Sequence, residues 1–185
     1  MTERDDATGF ALFETTIGMC ALAWGPHGLV GVQLPADEGE AATRARMRHR
    51  FPDLREGPPN DMAQHAIAAI QGLLQGVHDD LKHIVLDMRG VSEFHQRIYA
   101  IARSIPPGQT RTYGEIAEAL GDKGLSRAVG QAMGHNPFAP VVPCHRVLAA
   151  GNKPGGFSAN GGVVTKLKML EIEGALVNHT PSLFD

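Results

Sequence analysis

Hydrophobic and polar positions change their period along this 185-residue chain. Between Phe10 and Leu34, short apolar stretches alternate with turn signals. Ala21-Leu22-Ala23-Trp24, the turn Gly25-Pro26-His27-Gly28 and the run Leu29 to Leu34 read as a β-hairpin. Glu38 to Arg50 is charged and alanine-rich, which predicts a helix. Met62 to Leu74 predicts another, with Ile67, Ile70 and Leu74 at helical spacing. Ile84-Val85-Leu86-Asp87-Met88 predicts a strand. The order β, β, α, α, β implies a small α/β domain, a small sheet with flanking helices, over residues 1–88, with a boundary near Gly90.

The pattern then turns helical. Phe94, Ile98, Ile101 and Ile105 fall on one face of a helix that Pro106-Pro107-Gly108 ends. Thr112 is placed to cap a second helix, Tyr113 to Leu120, and Ser126 starts a third that runs to His135. Two short helices around the Gly121–Gly124 turn make a helix-turn-helix candidate. Ala149 to Gly162 reads as a loop and Thr165 to Glu173 as a last helix. The expectation for residues 89–178 is a mainly α domain with a winged-helix-like helix-turn-helix, followed by a tail, 179–185. There is no internal repeat and no low-complexity segment.

On the third helix, Leu125, Val129 and Met133 share one face, which should be core. Ser126, Arg127, Gly130, Gln131 and Gly134 cover the other. Two glycines in an exposed helical face cost about 1 kcal/mol each relative to alanine, which suits a surface that something else must approach closely. A neighbouring helix or a DNA groove would both fit.

Composition is ordinary for a soluble globular protein, at 43% hydrophobic and 20% charged. Charge is uneven. Residues 1–88 carry 7 Lys+Arg and 13 Asp+Glu, a net of −6; residues 89–185 carry 10 and 7, a net of +3. The mild positive excess sits in the helical half, which argues for moderate, salt-sensitive DNA affinity. The acidic, polar start is no secretory signal, and no run reaches the ~20 apolar residues of a membrane span. A cytoplasmic protein is expected.

Only two cysteines are present, Cys20 and Cys144, which suits free thiols in a reducing compartment. Cys20, in Met19-Cys20-Ala21-Leu22, reads as inert core. Cys20 and His27 supply no recognisable zinc set, so no metal is expected. Cys144 differs. It lies in Pro140-Val141-Val142-Pro143-Cys144-His145-Arg146-Val147, with Asn136-Pro137 upstream. A cysteine next to a histidine is a candidate nucleophile, because a thiol attacks as thiolate and needs a base or positive field nearby.

Tyr113-Gly114-Glu115-Ile116-Ala117, Ser126-Arg127-Ala128-Val129-Gly130-Gln131-Ala132-Met133, Asn136-Pro137 and Pro143-Cys144-His145-Arg146-Val147 occur in that order. Over roughly Phe94 to Gly174 the chain thereby resembles the O6-alkylguanine-DNA alkyltransferases. The resemblance implies single-turnover transfer of an alkyl group from O6 of guanine, and from O4 of thymine, to Cys144. It needs no cofactor. The partner is double-stranded DNA with alkylated bases, bound by a monomer without an obligate protein partner. His145 would deprotonate the thiol through a water, and Glu173 would orient His145, with Glu171 as the nearby competitor. Asn136 would support the turn before the cysteine. Tyr113 would give a proton to the leaving purine. Val147, through its carbonyl, and Ser158, on a closing loop, would hold the base. The helix carrying Ser126, Arg127, Ala128, Gly130 and Gln131 would enter the minor groove, with Arg127 filling the gap left by a flipped nucleotide.

The chain departs from that family's pattern in three places. Val91-Ser92-Glu93-Phe94 replaces a Thr-Pro-Phe run, Tyr99 stands in a tryptophan position, and Phe157 to Lys166 is longer. Three rivals remain open: a lesion-binding module, a helix-turn-helix regulator and a cysteine hydrolase. Stoichiometry separates transfer (one alkyl per protein) from a binder (none) and a hydrolase (many).

Overall fold

The computed structural model describes residues 8–155 and 162–175; the tail proposed at 179–185 lies outside them. Strands β1 (Gly9–Thr15), β2 (Gly18–Gly25) and β3 (Gly28–Gln33) form one antiparallel sheet in that order. The hairpin read from the sequence is β2–β3. Its turn needs glycine at position 28, where φ is +128° and a Cβ would meet the Val85 carbonyl oxygen at 2.7 Å. The sequence reading did not separate β1 as a strand. Its residues pack on both sides: Phe10 joins Ala21, Ala23 and Met47, while Ala11 and Phe13 enter the main core. A strand covered on both faces loses the apolar–polar alternation that marks a half-exposed one.

Helix α1 (Glu40–Arg50) covers one face of the sheet through Met47. Helix α2 (Asp61–Leu74) covers the other through Ala63, Ala66, Ile70 and Leu73. Asn60 caps α2 by accepting from the Ala63 amide at 2.8 Å. The strand expected at Ile84–Met88 is not one. This segment makes a single parallel bridge, Leu29 with Leu86. The Arg103 guanidinium takes the Leu81 and Ile84 carbonyls, at 2.9 and 3.0 Å, so a side chain satisfies groups that a neighbouring strand would otherwise pair. The first half therefore runs β, β, β, α, α.

Helix α3 (Glu93–Arg103) starts at Ser92, whose side chain accepts from the His95 amide. Helix α4 (Tyr113–Ala119) has a full capping box, Thr112 with Glu115. A turn over 120–125 leads to α5 (Ser126–Gly134), which packs on α3 and α4. Tyr99 is buried and donates its hydroxyl to the Ala132 carbonyl at 2.7 Å, tying α3 to α5. Strand β4 (Arg111–Thr112) pairs in parallel with β5 (Val147–Leu148), and α6 (Gly162–Glu173) begins three residues before the expected Thr165. One hydrophobic cluster joins Leu22 and Trp24 of the sheet to Ile98, Val129, Val141 and Met169. The residues around Cys144 are thus backed by both halves of the chain.

Candidate active site

Helix α5 ends at Gly134, and His135 is its C-cap residue, so Asn136 is free for another task. Asn136 braces the loop that follows. Its Oδ1 accepts from the Phe138 amide at 2.9 Å, and its Nδ2 donates to the Val142 carbonyl at 2.7 Å. The same carbonyl accepts from the Cys144 amide at 2.8 Å. Pro143 then opens a short 3-10 turn, Cys144–Arg146, with all three side chains buried. A rigid loop thus presents the thiol.

Helix α6 brings in the carboxylate. Glu173 Oε2 accepts from His145 Nε2 at 2.8 Å, and Glu173 also takes Arg146 in a bidentate pair, Nε and Nη2 at 2.8 and 2.9 Å. Arg146 Nη1 donates to the Ile105 carbonyl at 2.8 Å. Glu173 is 3% exposed, whereas Glu171 is exposed. Burial pushes the Glu173 carboxyl up, but its bonds to Arg146 and His145 outweigh this and bring it down to about 2. An ionised carboxylate only accepts, so His145 Nε2 carries the proton and Nδ1 is left as the acceptor. Nδ1 is buried and has no hydrogen-bond partner among the described residues. Burial also lowers the His145 pKa, against the pull of Glu173, which keeps the imidazole neutral near pH 7 and fit to take a proton.

Burial pushes the Cys144 thiol up. Asn136, the Lys166 charge and the Cys144 and His145 amides pull the other way. Lys166 is a residue the sequence reading missed. It is fully buried, donates from Nζ to the Val147 carbonyl at 2.7 Å and lies 5.9 Å from the centre of the Tyr113 ring. Burial draws its ammonium down to about 8, opposed by Cys144. A signal was available. Lys166, Met169, Leu170 and Glu173 fall at i, i+3, i+4 and i+7 and are all buried, so two charged residues share the apolar stripe of α6.

Tyr113 opens α4 half-buried, and burial followed by the Cys144 charge raises its hydroxyl. The Val147 carbonyl proposed to hold a base already accepts from Lys166, though a carbonyl has a second lone pair. Ser158 lies outside the described residues, as do residues 157–161 of the longer Phe157–Lys166 segment.

On α5, Val129 and Met133 are buried while Arg127 and Gln131 are exposed; Ser126, Ala128 and Gly130 are intermediate. A Cβ at Gly130 would meet nothing within 4 Å, so no packing inside the chain demands that glycine. Cys20 is fully buried, and burial pushes its thiol up to about 12. Among the described residues no group of three or more His, Cys, Asp or Glu could hold a metal, and no helix is long and apolar enough to cross a membrane.

Residues 93–175 match the family model for the DNA-binding domain of 6-O-methylguanine DNA methyltransferase. The chain is 46% identical over 102 residues to the methylated-DNA–protein-cysteine methyltransferase of Mycobacterium tuberculosis strain H37Rv, covering 55% of this chain and 60% of that protein. With the Mycobacterium leprae protein of the same name it shares 37% over 159 residues, 84% of this chain and 94% of the relative. Among solved structures, Mycobacterium tuberculosis OGT in complex with DNA superposes with a TM-score of 0.73 at 31% identity, covering 90% and 92% of the two chains.

Proposed function

Because this chain belongs to the methylated-DNA–protein-cysteine methyltransferase family, we propose that it repairs DNA by moving an alkyl group from O6 of guanine to Cys144. O4-alkylthymine is a second substrate. The observation that carries this reading is the buried set of Cys144, His145 and Glu173. Glu173 holds the His145 proton on Nε2, so Nδ1 can take the thiol proton, through a water. The thiolate then attacks the alkyl carbon. The S–C bond forms as the O6–C bond breaks, and the charge passes from sulfur to the purine. Tyr113 protonates the departing guanine. The thioether that remains cannot ionise, so each molecule reacts once and uses no cofactor.

A thiol that is 6% exposed cannot reach a base stacked in a duplex, so the nucleotide must be flipped. We read α4, its turn and α5 as a helix-turn-helix of winged type. α5 enters the minor groove with Ser126, Ala128, Gly130 and Gln131 against the backbone and Arg127 in the vacated gap. Minor-groove contact carries little sequence information, so the pocket, not the helix, selects the lesion. Asn136 holds the thiol-bearing turn, while Val147 and Ser158 hold the base. We divide the chain into an N-terminal α/β domain, 1–88, and a C-terminal domain, 89–178, and place the protein in the cytoplasm as a monomer on DNA.

The test is stoichiometry. Incubated with duplex DNA carrying O6-methylguanine, the protein gains a single methyl mass, mapped to Cys144 by peptide mass spectrometry. Cys144→Ala binds but gains nothing; Cys20→Ser reacts as wild type. Methyl uptake by Cys144→Ala, or repeated turnover, would overturn the reading.

A further inference from the structure

The turn that presents Cys144 is held from the other half of the chain. The Pro137 carbonyl accepts from the Val32 amide of β3 at 2.9 Å and from Arg50 Nη2 at 3.3 Å, which uses both of its lone pairs. Arg50 ends α1 and is itself fixed. Its Nη1 donates to the Val32 carbonyl at 2.9 Å and to Gln33 Oε1 at 3.2 Å, and its guanidinium lies 5.0 Å from the centre of the Phe51 ring. The sheet leaves room for this. A Cβ at position 31 would sit 2.7 Å from Arg50 Nη2 and 2.5 Å from Phe51 Cζ, so glycine there lets the guanidinium cross β3.

From Pro137 the path to the sulfur is short. Its neighbour Asn136 reaches the Val142 carbonyl, and the Cys144 amide binds that same carbonyl. A cavity of about 340 Å³ lies between, lined by Arg46 and Arg50 on one side and by Asn136, Pro137, Ala139 and Cys144 on the other. On this side, hydrogen bonds rather than close packing hold the turn.

We propose that Arg50 is a positioning residue for alkyl transfer: through the Pro137 carbonyl and Asn136 it sets the aim of Cys144. This rests on Cys144 being the alkyl acceptor. Arg50 touches no reacting atom, so its loss alters the rate of transfer and leaves lesion binding alone.

Single-turnover kinetics on a duplex with one O6-methylguanine separate the two, using the full chain as wild type, Arg50→Met and Arg50→Lys. Arg50→Met lowers the maximal transfer rate about tenfold, the scale of a slightly misaimed nucleophile, with unchanged affinity. Arg50→Lys keeps one donor and falls between. Hydrogen exchange speeds up at the Phe138 and Cys144 amides in Arg50→Met and stays the same in α2. A maximal rate equal to wild type in either folded variant overturns the proposal. So does faster exchange across the whole sheet with a normal rate in the folded fraction, because that marks a merely structural arginine. Should Arg50→Met fail to fold, Arg50→Lys carries both measurements. A wild-type protein that takes up no methyl refutes the transfer reading instead, and the exchange data then still decide whether Arg50 holds the turn.

Discussion

Glu173 holds the Arg146 guanidinium and the neutral His145 imidazole with almost no solvent contact, and its removal should be felt twice. Glu173→Gln leaves the Arg146 guanidinium buried without its counter-charge, at a cost of about 3–5 kcal/mol in stability. It also frees His145 to adopt the wrong tautomer, so transfer slows more than DNA binding weakens. The pH dependence has a definite sign. The folded carboxyl at about 2 lies below its ordinary 4.5, so the folded state favours the ionised form. Its contribution is complete above about pH 4.5 and is lost as pH falls toward 2. Urea unfolding across that window should show wild type losing stability faster than Glu173→Gln. Parallel curves would mean that the carboxylate is not the group that titrates. Glu171→Ala, at an exposed position, should leave both transfer and stability unchanged.

Helix α5 separates what folding needs from what a partner needs. Val129, Ala132 and Met133 are buried, whereas Gly130 faces open space. Gly130→Ala should therefore stabilise the protein by about 1 kcal/mol, the helix-propensity gain, in thermal unfolding. Gly130→Leu should also fold, yet weaken all DNA binding by holding the helix off the groove. Arg127→Ala should fail in another way. It slows repair of a paired guanine but reacts almost normally with free O6-alkylguanine base, which needs no flipping. The ratio of duplex to free-base rates reads this directly. An unchanged ratio would leave Arg127 an ordinary surface charge.

Across the whole molecule, a single core cluster unites two halves of opposite charge, −6 and +3. Groups that hold the candidate site come from both: Val32 and Arg50 from the acidic half, Asn136, Cys144, Lys166 and Glu173 from the basic one. The modest positive charge of the second half limits how many phosphates can be neutralised. DNA affinity should fall with salt along a shallow log–log slope, measured by titration at several salt concentrations. A steep slope would point to a basic surface beyond α5.

Helices α1 to α5 and the β2–β3 hairpin were legible in the chain because their signals are local: apolar spacing, a charged alanine-rich run, the Thr112 cap and a glycine-bounded turn. The reactive candidate was legible as well, since a Pro-Cys-His run has few other uses. Other features depend on packing between distant segments. β1 hid because both its faces are covered, and the strand expected at Ile84–Met88 gave way when Arg103 took the Leu81 and Ile84 carbonyls. Which glutamate of α6 turns inward, the burial of Lys166 beside it, and the hold of Arg50 on a loop 87 residues away emerged only with the tertiary structure. Their energies come from desolvation and from hydrogen bonds across elements, and neither is encoded by the residues next to them in the chain.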